Sequence, residues 1–148
     1  MQPPPFVSAV RLNLLRGMYA FMAVGLALVV WPSIIAPGSD MSLPATVVHA
    51  LLGGIGLLSL LGLRYPLRMI PLLLFELVWK LVWVLAYAFP MWRSDTLTAG
   101  AMENLFACAV GIVLVPLVLP WRHVMNHYLT HPGEPWRQAR KPEPQYAA

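Results

Sequence analysis

The sequence predicts an all-α integral membrane protein: a bundle of four transmembrane helices with both termini in the cytoplasm. Three observations predict it. The chain is 59% hydrophobic and only 11% charged, with a mean hydropathy of +0.67, whereas a soluble domain is about a quarter charged. Its uncharged runs are long: positions 17 to 39, 41 to 63 and 104 to 121 contain no Asp, Glu, Lys or Arg. A fourth run, Met69 to Trp92, carries only Glu76 and Lys80. About 20 apolar residues cross the hydrocarbon of a bilayer. The third observation is how the basic residues are sorted between loops.

The predicted order begins with a cytoplasmic arm and helix lead-in over residues 1–13, where Met1-Gln-Pro-Pro-Pro5 reads as extended. The four spans follow at about 14–36, 45–63, 67–89 and 99–119. The first is read as a retained span and not a cleaved leader, because its apolar stretch is long and Ala36 precedes Pro37. Pro37-Gly38-Ser39-Asp40 makes an outer turn, and Ser42 suits the N-cap of the second span. Gly62-Leu-Arg-Tyr-Pro66 makes a tight inner turn, with Pro66 fitting the first turn of the third span. Arg93 to Thr98 forms the second outer loop, where Ser94 or Thr98 suits a cap. Pro116 predicts a kink inside span four. Residues 120–131 read as an interfacial helix, and 132–148 as a proline-rich cytoplasmic tail.

With four spans, Arg11, Arg16, Arg64, Arg68, Arg122, Arg137, Arg140 and Lys141 all fall on one side. The other side holds Arg93 with Asp40 and Asp95. The positive-inside rule makes the first side cytoplasmic. The same sorting accounts for the pI near 9.6, since Arg and Lys at that face meet anionic headgroups. The short basic stretch Trp136 to Lys141 is too little for nucleic acid. Trp31, Trp92, Trp121, Tyr19 and Tyr65 near span ends read as interfacial anchors. Gly53, Gly54, Gly56 and Ser59 in span two, and Ala20, Ala23 and Ala27 in span one, read as small faces for close packing.

Ionisable groups inside a span are expensive and often mark function. Glu76 and Lys80 have the order and spacing of a favourable i, i+4 pair. Met69, Leu73, Glu76, Lys80, Trp83 and Tyr87 recur every three or four residues, so they share one face of the third helix. The topology places His49, Tyr87, Glu103 and Asn104 near the outer ends of their helices. The expectation is an outward pocket formed by these four, floored by Lys80 and Glu76. Each member also has a plainer role: a helix-dipole partner for Glu103, a carbonyl bond for His49, an interhelical bond for Asn104.

No metal centre is expected. His49, Glu76 and Glu103 lack local ligand spacing. His123, His127 and His131 recur at i, i+4, a spacing that binds Zn²⁺ or Ni²⁺, but an interfacial helix with a polar side explains them too. No cofactor is implied, since His49 is the only histidine within the spans and paired haem ligands are missing. No phosphate loop, nucleophile elbow or Cys-x-x-Cys occurs, and Cys108 alone excludes an internal disulfide.

Leu61-Gly-Leu-Arg-Tyr-Pro66, Ile70 through Glu76 to Lys80, Pro120-Trp-Arg122 and His127-Tyr128 resemble a group of uncharacterised short bacterial four-span inner-membrane proteins. That resemblance implies a bacterial origin and a multi-pass place in the inner membrane, and brings no activity with it. In size and span number the chain is also similar to DoxX-like four-helix proteins, a likeness of architecture only. The leading expectation is a small non-enzymatic inner-membrane protein: a partner or assembly subunit, or a binder of a small ligand in the bundle. Its partners would be the bilayer and either a second copy or another membrane protein. The alternatives are a proton- or ion-coupled transporter using Glu76 and Lys80, and a membrane enzyme acting on lipid or quinone through His49 and Glu103.

Overall fold

The computed structural model describes residues 7–130. The predicted tail and residues 1–6 of the arm lie outside them. Every regular element among the described residues is helical. In chain order these are α1 (Ala9–Val29), α2 (Trp31–Ile35), α3 (Leu43–Arg64), α4 (Ile70–Trp83), α5 (Phe89–Arg93), α6 (Ala99–Val118) and α7 (Trp121–Val124). A π-helical turn, Val84–Ala88, joins α4 to α5, and a second, Met125–Thr130, follows α7. Four helices are long and apolar enough to cross a membrane: α1, α3, the continuous Ile70–Arg93, and α6.

Local chemistry sets the ends. Ser8 caps α1 by accepting from the amide of Arg11, so this helix starts five residues before the predicted span. Ser42 occupies the N-cap of α3 without a side-chain bond, and Pro44 sits in the first turn. Thr98 caps α6 through the amide of Ala101. Ser94 instead donates to the carbonyls of Pro90 and Met91 at the end of α5. Pro66 lies in the turn before α4, and Pro71 fills the first-turn position expected of Pro66. Leu119 leaves helical geometry at φ −61°, ψ 129°, as a residue before proline is driven to do.

The π turn has an identifiable cause. Pro90 has no N–H to give the carbonyl four residues back, and its ring crowds the preceding turn. The Phe89 amide bonds the Val84 carbonyl, five residues earlier. One extra residue is thereby accommodated.

α1 packs chiefly on α3, and α4 chiefly on α6. The core gathers Leu15, Met18, Tyr19 and Met22 of α1 with Ile55, Ile70, Leu73, Val115, Leu119 and Val124. Two bonds tie one end of the bundle. Arg11 donates to the Leu119 carbonyl over 3.0 Å, and the Tyr19 hydroxyl donates to the Pro66 carbonyl over 3.1 Å. The start of α1, the end of α6 and the α3–α4 connection therefore lie together.

The α1–α3 seam differs from the expected meeting of two small faces. Small residues of α3 receive large ones. A Cβ at Gly62 would collide with the Tyr19 ring, and one at Gly53 would lie 2.7 Å from Ile34 Cδ1 of α2. At Gly56 it would lie 3.3 Å from Leu26 Cβ. Ser59 is buried on the same face, whereas Gly54 meets nothing within 4 Å. On α1, Ala23 is buried and Ala27 exposed. Tyr19 is 0% exposed, so it is a packing group, not the surface anchor expected. Tyr65 remains exposed, with Arg64 and Arg68 over its ring.

Candidate functional site

The polar centre is built on α4. Its periodicity turns Leu73 and Glu76 into the protein interior, where they are 0% and 4% exposed. Lys80, one turn on, donates through Nζ to Glu76 Oε2. The lysine stem lies against α6 at Gly111, where a Cβ would come 2.7 Å from both Cδ and Cε. The Nζ atom also sits 4.3 Å from the centroid of the Trp79 ring, a cation–π distance. Cys108, one turn before Gly111, is fully buried on the same face of α6.

The arrangement is incomplete in one respect. Glu76 Oε1 and Trp79 Nε1 are both buried, and neither has a hydrogen-bond partner among the described residues. A buried polar group without a partner costs about 1–3 kcal/mol, and more when charged. Here an acceptor bearing negative charge and an indole N–H donor belong to the two side chains that contact one ammonium group. A guest that both donates and accepts is the chemical complement of such a pair.

The residues of the expected outward pocket have separate partners and exposures. Among the described residues no hydrogen bond joins His49, Tyr87, Glu103 or Asn104 to the pair or to one another. His49 Nδ1 lies 2.7 Å from the Ala45 carbonyl one turn back on α3, a contact that needs the proton on Nδ1. Glu103 and Asn104 are exposed on the first turns of α6. Tyr87 is 60% exposed. Its displacement arises from the π turn: the extra residue rotates the later part of the helix, and Ala88, 1% exposed, takes the inward position. The shared face thus runs from Met69 to Lys80 and stops short of Tyr87.

Compared with protein-family models, curated proteins and solved structures, the chain matches none.

Among the described residues no three His, Cys, Asp or Glu side chains group as metal ligands. His49, Glu76 and Glu103 stay on separate helices without a shared bond. His123 and His127 stack, with ring centroids 5.5 Å apart and planes 8° from parallel. The edge of Tyr128 meets His127 at 5.0 Å. Burial, and then the neighbouring His127, hold His123 below the ordinary imidazole range. The third member of that series, His131, lies outside the described residues. Val124 anchors this segment by entering the core.

Three neighbours of the pair are not singled out for it by periodicity. Trp79 carries a signal, being three residues from Glu76 and adjacent to Lys80. Gly111 and Cys108 share the buried face of α6 with Val115, but their pairing with Lys80 depends on how two helices meet.

Proposed function

We propose that the chain is a four-span protein of the bacterial inner membrane, with both termini cytoplasmic, that works by binding and not by catalysis. Membrane placement is supported by the outward faces of the long helices. Each candidate span is only 17–28% buried, and large apolar groups such as Phe106 and Leu117 are 72% and 68% exposed. Water would penalise such faces by about 25 cal/mol per Å²; lipid does not. Orientation is supported by Arg11, Arg16, Arg64, Arg68 and Arg122 at the tied end, against Arg93 with Asp40 and Asp95 at the other. The bacterial assignment rests on the resemblance of the Leu61–Lys80 stretch and its partners.

Binding is carried by one observation: the unmatched Glu76 Oε1 and Trp79 Nε1 beside Lys80. The guest is a small polar molecule, or a polar side chain of a partner helix, that donates to the carboxylate and accepts from the indole. An acid and a base that neutralise each other on one helix make a poor proton-transfer couple for an outside substrate. Native mass spectrometry and light scattering of the protein in mild detergent test the proposal. A retained guest or partner is expected. Glu76→Gln combined with Trp79→Phe should weaken it at least about tenfold, since a charge-assisted hydrogen bond is worth about 1.5–3 kcal/mol. A bare monomer overturns the proposal.

A second reading is favoured by the same free carboxylate oxygen, which can accept a proton: proton- or ion-coupled transport through Glu76 and Lys80. Flux into proteoliposomes should fall for Glu76→Gln and for Lys80→Met. Flux unchanged from the unsubstituted protein in both variants rejects it.

A further inference from the structure

The tied end of the bundle carries two recesses apart from the polar pair. One, of about 480 Å³, lies between α1 and α6 and is lined almost wholly by apolar groups, including Leu14, Gly17 and Phe21 of α1 and Leu114 and Val118 of α6. It is a shallow groove, open along the outer face of the two helices. The other, of about 290 Å³, is lined by Ser8, Arg11, Pro120, Trp121 and Arg122. The first residues of α1 contribute to both, Val10 to the apolar cavity and its neighbour Arg11 to the basic one. Val118 and Pro120 do the same at the end of α6. An apolar trough thus leads toward a basic mouth.

We propose that this trough and mouth hold one anionic phospholipid of the cytoplasmic leaflet. Its phosphate rests on Arg11 and Arg122, and one acyl chain lies between α1 and α6. The charge fits: two guanidinium groups line the mouth, and neither lining includes a carboxylate. The Arg122 guanidinium makes no hydrogen bond or ion pair among the described residues, so its planar fork is available for a phosphate. Arg11 spends one N–H on the Leu119 carbonyl and keeps the rest of its five donors. Trp121 gives its N–H to the Pro116 carbonyl over 2.9 Å. Its ring is therefore held at the depth where headgroup meets chain. Gly17 opens the trough, since a Cβ there would meet nothing within 4 Å.

The inference rests on the proposed membrane placement but not on the Glu76–Lys80 reading. Delipidated protein in neutral detergent is mixed with phosphatidylglycerol, phosphatidylcholine or soluble glycerol phosphate, and occupancy is read by native mass spectrometry. One phosphatidylglycerol per chain should bind at least about tenfold more tightly than phosphatidylcholine. Glycerol phosphate should not displace it. Arg122→Gln, which breaks no bond within the protein, should erase the preference for the anionic lipid. Gly17→Leu, which enters open space, should reduce binding of both lipids about tenfold, and each variant's melting temperature checks its fold. Equal binding of the two lipids overturns the proposal, as does an unaltered Gly17→Leu variant. Complete displacement by glycerol phosphate would make it a free-anion site and overturn the lipid. Binding in detergent is blind to orientation, so a reversed topology in reporter fusions would fail the orientation alone.

Discussion

The two main helix pairs solve the same steric problem with opposite chemistry. In α1 on α3, the ring of Tyr19 is pressed onto the backbone at Gly62, and its hydroxyl is fixed to the Pro66 carbonyl. In α4 on α6, the stem of Lys80 is pressed onto Gly111, and its ammonium is fixed to Glu76. Both glycines admit a bulky neighbour that an added Cβ would crowd. The first contact is rigid and its polar group is satisfied. The second is flexible and leaves Glu76 Oε1 and Trp79 Nε1 unmatched. One pair is built to hold, and the other retains unused bonding capacity, which is where binding is proposed.

Breaking the ion pair tests this contrast most severely. Lys80→Met leaves the Glu76 carboxyl buried without its partner and should destabilise the detergent-solubilised protein by about 3–5 kcal/mol. Adding Glu76→Leu should recover most of that loss. A double variant as unstable as the single one would mean that the pair is not the source of the effect.

Filling each glycine separates rigid from yielding neighbours. Gly62→Ala should cost about 3 kcal/mol, the upper end for added bulk in a packed site, because a hydrogen-bonded ring cannot step aside. Gly111→Ala should cost only about 1 kcal/mol, because the lysine stem rotates away. Thermal denaturation in one detergent compares them, and equal losses would remove the distinction. Gly54→Ala supplies the contrasting case on α3. Its Cβ meets no neighbour, so the helix should gain about 0.5–1 kcal/mol from lower backbone entropy in the unfolded chain.

The smallest effect concerns the segment after α6. The folded-state value of His123 is depressed by burial and by His127. Its contribution to stability is therefore present above the ordinary imidazole value and lost as pH falls through the folded one. Proton exchange of the 121–130 amides should quicken, relative to the rest of the chain, on acidification below the ordinary imidazole value of about 6.5. An imidazole titration with its midpoint at or above the ordinary value would contradict this.

What can be read from the residues divides by the range of the physics involved. The four apolar helices are legible because each is written as a long run almost free of charge, and Glu76 with Lys80 because an i, i+4 bond lies within one helix. Helix ends shift by a few residues where a single cap decides them, as Ser8 does for α1. Continuous α-helical spacing misplaces Tyr87 because it takes no account of Pro90, the one residue that signals the π turn. The glycine seam is visible in the sequence, but its membership is not: Gly62 belongs and Gly54 does not, a matter of how α3 is rotated against Tyr19. His49, Glu103 and Asn104 share only a depth in the bundle, and depth does not say which way a side chain points.

The bond from Arg11 to the Leu119 carbonyl spans 108 positions of the chain, and that separation has a temporal meaning. During synthesis Arg11 emerges with the first of the four long helices, and its acceptor only after the last of them. Until the ribosome has passed position 119, the opening segment must wait without its eventual neighbour. Closure of this end is accordingly a late event, and a nascent chain stalled before α6 is complete should be the form most open to quality-control proteases.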